Sequence, residues 1–138
     1  MAMTKVEMSG PQSNTAVLAE LRALRARIPE LTGVLVASGD GMLVAHLLPA
    51  DIEPTGVAAL TASQLALSYR LVTTVHGGGF REVVVHGTDG YVVIYAAGRT
   101  ALTVLAGPEV NVGRLHLESR PVAHTIAEQL TATTQGLG

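Results

Sequence analysis

Apolar residues recur at helical spacing near the start of the chain. Val17, Leu18, Leu21, Leu24 and Ile28 share one side, opposite Glu20, Arg22 and Arg25. The pattern predicts an amphipathic helix over "TAVLAELRALRARI", capped by Ser13 or Asn14 and stopped by Pro29. The period then changes. "LTGVLVAS", "GDG" and "MLVAHLL" read as strand, turn and strand, the glycines supplying the positive φ that a tight hairpin needs. "FREVVVH", "GTDG" and "YVVIYAA" repeat the device, and "GRT" turns the chain into "ALTVLAG". Five strands result, grouped two and three around residues 53–76. The closing stretch "PEVNVGRLHLESRPVAHTIAEQL" predicts a last helix with Val112, Leu115, Val122, Ile126 and Leu130 inward. Pro121 predicts a kink within it.

The strands do not alternate cleanly. "GVLVA", "VVV" and "YVVIYAA" carry apolar groups on both sides, so both faces of the sheet are covered. Tight Asp-Gly turns make neighbouring strands antiparallel, which excludes a doubly wound nucleotide fold. The predicted class is an α/β sandwich (α+β) with a single five-stranded, mainly antiparallel sheet in the order α-β-β-α-β-β-β-α. One domain is expected over residues 14–130, with a disordered lead over 1–13 and a flexible tail over 131–138.

Residues 53–76 predict the longest helix, and Glu53 and Arg70 are its only charged residues. It is long enough to span a bilayer, but Thr55, Thr61, Ser63, Gln64, Ser68 and Arg70 interrupt it. As a sheet cover it offers the stripe Val57, Leu60, Leu67, Leu71 and Val75, which leaves the missing charges on the opposite side unexplained. Burial of a second surface against another protein accounts for them. There Gly56, Ala58, Ala59, Ala62, Ser63 and Ala66 would let a partner helix come close. If "FREVVVH" is an edge strand, its unpaired backbone needs a partner too. A two-fold dimer pairing this strand with its own copy would satisfy both needs at once.

Composition narrows the chemistry. The 138 residues carry a net charge of −2 and no cysteine, which excludes disulfides, zinc-thiolate sites and a thiol nucleophile. The nine cations are scattered apart from Arg22, Arg25 and Arg27, so no phosphate-tracking surface and no nucleic-acid partner are expected. The bias towards Arg, Ala and Val suggests a high-GC bacterial genome. "MAMTKVEMSGPQSN" lacks an apolar secretory core, and a cytoplasmic protein without direct membrane insertion is expected.

Five histidines (His46, His76, His86, His116 and His124) form no ligand spacing, so no metal is expected. Gly77, Gly78 and Gly79 follow a helix and precede a strand, the reverse of a phosphate-binding loop, and read as a helix cap. No nucleophile elbow occurs, and Asp40 and Asp89 sit in turns. No catalytic residues, no cofactor and no enzymatic activity are expected.

The order and spacing of "IPELTGVLVASGDGMLVA", the Ala/Ser-rich middle helix, "FREVVVHGTDGYVVIYAAG" and "ALTVLAGPEVNVGRLHLE" resemble the roadblock, or dynein light-chain-type, superfamily, which includes bacterial MglB-like regulators. The likeness extends from about Thr15 to Leu130. It implies a profilin-like fold with the middle helix on one sheet face and the terminal helices on the other. It also implies a homodimer built on the middle helix and third strand, through Leu60, Gln64, Leu67, Ser68, Leu71, Arg81, Val83 and Val85. The paired helices would present a surface to a Ras-like small GTPase, which the protein would regulate or scaffold. Any stimulation of GTP hydrolysis would come without an arginine finger from Arg70 or Arg81. A membrane histidine-kinase-like protein is a further implied partner. The competing reading from the residues is a small-ligand sensor with a pocket between sheet and helix.

Overall fold

The computed structural model describes the backbone of residues 4–137 and the side chains of residues 15–132. Its elements follow as α1 (Thr4–Arg27), β1 (Leu31–Ser38), β2 (Leu43–Leu47), α2 (Pro54–Val75), β3 (Glu82–Gly87), β4 (Gly90–Ala97), β5 (Thr100–Ala106) and α3 (Val112–Leu137). Every neighbouring strand pair is antiparallel, in the order β2-β1-β5-β4-β3. This is the five-stranded α+β sandwich that the hydrophobic pattern predicts. The hairpins turn where the glycines stand: Gly41 has φ +91° and Gly98 φ +57°, a region that costs other residues strain.

Two faces of the sheet are covered differently. Val34, Val36, Val93, Tyr95, Leu102 and Val104 point to the face carrying α1 and α3. They pack against Val17, Leu21, Leu24, Ile28, Leu115, Val122 and Ile126, all almost wholly buried. The helical stripes read from the sequence are therefore the ones that form the core. Each such side chain contributes about 1.5–3 kcal/mol through burial. The opposite face carries α2 alone, over β1 and its neighbours, and β3 lies at the sheet edge.

Helix ends depart from expectation in α1 and α3. α1 begins at Thr4, so Ser13 and Asn14 lie inside it and do not cap it. Once the stripe from Val17 to Ile28 fixes the helix, each further residue adds one hydrogen bond at little entropic cost. Residues 1–3 of the expected lead lie outside the described residues, as does Gly138 of the expected tail. The rest of that tail continues α3 to Leu137. α3 also runs unbroken through Pro121. The ring deprives the Leu117 carbonyl of its intrahelical donor, but Pro121 and Leu117 are both exposed, so water can take that bond.

α2 has the limits that its sequence predicts. The Glu53 carboxylate accepts from the N–H groups of Thr55 (3.2 Å) and Gly56 (2.7 Å), and Pro54 opens the first turn. At the other end the Gly77 N–H donates to the Thr73 carbonyl at 3.0 Å. Gly77 has φ +71°, the left-handed helix cap expected of the glycine run. None of the helices, over the described residues, is long and apolar enough to cross a membrane.

Candidate functional site

The rotation of α2 about its axis decides which side chains it offers to a partner. Ala58, Thr61 and Ser68 are its buried residues. Ala58 packs with Leu35 and Ala37, with Val57 partly buried beside them. The Thr61 and Thr103 hydroxyls share a buried hydrogen bond of 2.9 Å, which fixes the helix to β5. Small side chains let the helix sit low: a Cβ at Gly41 would lie 3.4 Å from that of Ala62.

This changes the expected faces in part. Of the stripe Val57, Leu60, Leu67, Leu71 and Val75, only Val57 packs towards the sheet. Leu60 is 72% exposed, Leu67 64% and Leu71 67%, with Val75 equally open. Of the small residues assigned to a partner, Ala58 meets the sheet core and Ala62 sits over Gly41, while Gly56, Ala59, Ser63 and Ala66 are exposed as expected. Leucines at those inward positions would hold the helix off the sheet, so the larger groups are left outside.

The residues implied by the family resemblance divide accordingly. Leu60, Leu67 and Leu71 form one outward ridge at helical spacing. Gln64 is half-buried and donates from Nε2 to Ser68 Oγ at 3.0 Å, while Ser68 is only 8% exposed and faces inward. Arg81 is exposed just before β3. Val83 and Val85 pair with Ile94 and Val92 of β4, which sets them on the α2 side of the sheet. Val83 is half-buried and Val85 largely exposed.

Between the ridge and the edge strand runs a groove of about 560 Å³, with Val85, Val92, Ile94 and Leu105 on its sheet side and Leu60 and Leu67 on its helix side. Among the described residues, no ionisable side chain lines it. Covering it removes apolar surface from water at no cost in desolvated charge. On its outer side β3 presents backbone donors and acceptors that β4 does not use. The groove's polar groups are the hydroxyls of Thr61 and Ser63 and the Gln64 amide, set among apolar side chains. Sequence reasoning missed Val92, Ile94 and Leu105 as its floor. Period-two alternation from Val85 through the hairpin register carries that signal.

Several titratable groups meet on the other face. Arg120 of α3 donates from Nε and Nη2 to the two Glu82 carboxylate oxygens, at 3.1 and 2.7 Å. These bonds hold the Glu82 carboxyl below the usual carboxylate range. The Tyr95 hydroxyl and His116 Nδ1 are 2.8 Å apart and hydrogen-bonded, and burial pushes the phenol pKa up. His86 stacks on Tyr91 at 4.0 Å between ring centres. Among the described residues, no three His, Asp or Glu side chains converge as a metal set.

Known proteins share this architecture. MglB of Myxococcus xanthus is 18% identical, with a TM-score of 0.78 over 86% of this chain and 90% of its own. A Roadblock/LC7 domain from Streptomyces avermitilis is 26% identical, with a TM-score of 0.66 over 86% and 94%. An uncharacterised protein of Methanocaldococcus jannaschii is 26% identical over 100 residues, which are 72% of this chain and 85% of that one. The model of the Roadblock/LC7 domain matches residues 17–106, which contain the whole sheet and α2. With about two-thirds of its length so matched, the chain belongs to the Roadblock/LC7 domain family.

Proposed function

We propose that the protein is a non-catalytic, homodimeric regulator or scaffold of a Ras-like small GTPase in a bacterial signalling system. One observation carries the reading: an uncharged leucine ridge on α2 stands beside an edge strand with unpaired backbone. A two-fold axis beside β3 would pair that strand with its copy and bring the two α2 ridges together, closing both grooves. Leu60, Leu67, Leu71, Val83 and Val85 would form the contact. Arg81 would lie at its rim, and Gln64 and Ser68 would support the ridge from behind. The likeness to MglB and to the Roadblock/LC7 domain structures supports this reading.

The paired helices would then offer the GTPase a broad, mostly apolar platform. Arg70 and Arg81 are not assigned as arginine fingers, so any stimulation of hydrolysis would come from repositioning the GTPase's own residues. A cytoplasmic location and a membrane histidine-kinase-like partner belong to the same reading. The test is co-elution of the purified chain with a Ras-like GTPase from the same genome, loaded with GDP or a GTP analogue. A complex in at least one nucleotide state is expected, and none in either state overturns the partner. GTP turnover in the mixture separates stimulation from scaffolding.

The groove also keeps a second reading in play, a sensor of small apolar ligands between α2 and the sheet. A ligand retained in native mass spectrometry of the freshly purified protein would favour it.

A further inference from the structure

A second depression lies on the terminal-helix side, where α3 passes the start of β3. It measures about 350 Å³ and is lined by Phe80, Arg81, Glu82, Tyr95, Arg120 and His124, among others. Its composition is unlike that of the rest of the chain. The protein has one phenylalanine and three tyrosines, and charged residues make up only 14% of it. Here that phenylalanine, one tyrosine, two arginines and a histidine meet in a single cleft.

We infer that this cleft binds a single carboxylate carried on a short apolar stem. The charges are unequal in a way that fits one such group. Glu82 offsets one arginine, which leaves one positive charge over, with His124 beside it. Glu82 occupies Nε and Nη2 of Arg120. Among the described residues the Nη1 group keeps both its N–H donors, already oriented because the pair clamps the guanidinium plane. The main chain at Arg81 is held as well, its carbonyl accepting from the Ala96 N–H at 2.9 Å. Phe80, Ala96 and Ala123 supply an apolar wall for the stem. A phosphate dianion would exceed the available charge and face Glu82, whereas a monoanion matches it.

Such a carboxylate has two sources, a free short-chain acid or an Asp or Glu side chain of a protein. The inference goes beyond the proposed function and does not rest on it: the cleft and the α2 groove share no lining residue, and Arg81, which also stands at the rim of the proposed contact, is the one residue common to both surfaces.

NMR titration of the full chain with butyrate, with a capped peptide containing one glutamate, and with inorganic phosphate tests the inference. Saturable shifts are expected at the Arg120 side-chain N–H and at the amides of residues 80–82 and 120–124, with phosphate at least about tenfold weaker than butyrate. Peptide binding tighter than butyrate assigns the site to a protein side chain, and the reverse assigns it to a free acid. Arg81→Gln and His124→Gln leave the Glu82–Arg120 pair in place. The first should weaken binding about tenfold, the loss of one charge-assisted hydrogen bond, and the second should weaken it less. Arg25→Gln on α1 should change nothing. No saturable shift, phosphate binding as tightly as butyrate, or unchanged affinity in both cleft variants overturns the inference. Light scattering on the same variants reports the assembly state separately, so failure of the dimer and failure of the cleft can be told apart.

Discussion

The two faces of the sheet solve the same burial problem in opposite ways. On one, α1 and α3 close over the strands with their largest side chains inward, and Leu21, Leu24, Leu115 and Ile126 are almost wholly buried. On the other, α2 meets the sheet mainly through Ala58, Thr61 and Ser68, with Val57 beside them, and turns Leu60, Leu67 and Leu71 outward. The first face carries most of the fold's own stability. The second gives up intramolecular burial and leaves an apolar surface uncovered among the described residues. Size of side chain, not hydrophobicity alone, distinguishes a helix that completes a core from one that offers a surface.

Substitutions that treat the faces separately sharpen this contrast. Leu21→Ala empties the α1–α3 core and should cost about 2–5 kcal/mol in denaturant unfolding, since the cavity cannot fully collapse. Leu67→Asp on the ridge should leave the stability of an isolated protomer within about 0.5 kcal/mol. The same change should weaken self-association by about 2–4 kcal/mol, read by light scattering across a dilution series. If Leu67→Asp instead unfolds the chain, or leaves assembly untouched, the division of labour between the faces is wrong.

Smaller effects test how each helix is attached. Thr61→Val strands the Thr103 hydroxyl in a dry contact and should cost about 1–3 kcal/mol. The double change with Thr103→Val should recover part of that loss, which a double-mutant cycle would measure. Smallest is the Glu82–Arg120 pair, which is partly exposed and therefore screened, so that Glu82→Gln should cost under about 1 kcal/mol at neutral pH. The folded-state pKa of Glu82 is lowered below its ordinary value of 4.5. Its contribution is therefore present above pH 4.5 and lost as pH falls through the lowered value. The gap between wild type and Glu82→Gln should close on acidification, and a gap that widened would refute the assignment.

Much of this was legible in the sequence, for identifiable reasons. Strand pairs announce themselves where glycine and aspartate must turn the chain, as at Asp40-Gly41 and Asp89-Gly90. α1 and α3 show their inward sides because charges mark the outward ones. α2 has no such markers, so periodicity gave its length and ends but not its rotation, and the usual expectation that large residues point inward chose the wrong side. Leu60, Leu67 and Leu71 were placed at the candidate surface by family resemblance, while the groove floor at Val92, Ile94 and Leu105 depends on register across two hairpins. The start of α1 and the reach of α3 past Leu130 depend on propagation, which no single residue signals.

The uncharged lining between α2 and β3 also governs how quickly anything can arrive there. The lining itself offers no charge to steer an approach, so steering comes from charges outside it, such as Arg81 just before β3. Added salt therefore acts on those outer charges and not on the apolar contact. For a partner that binds there, residence time would be set by the apolar contact and arrival by the charge around it.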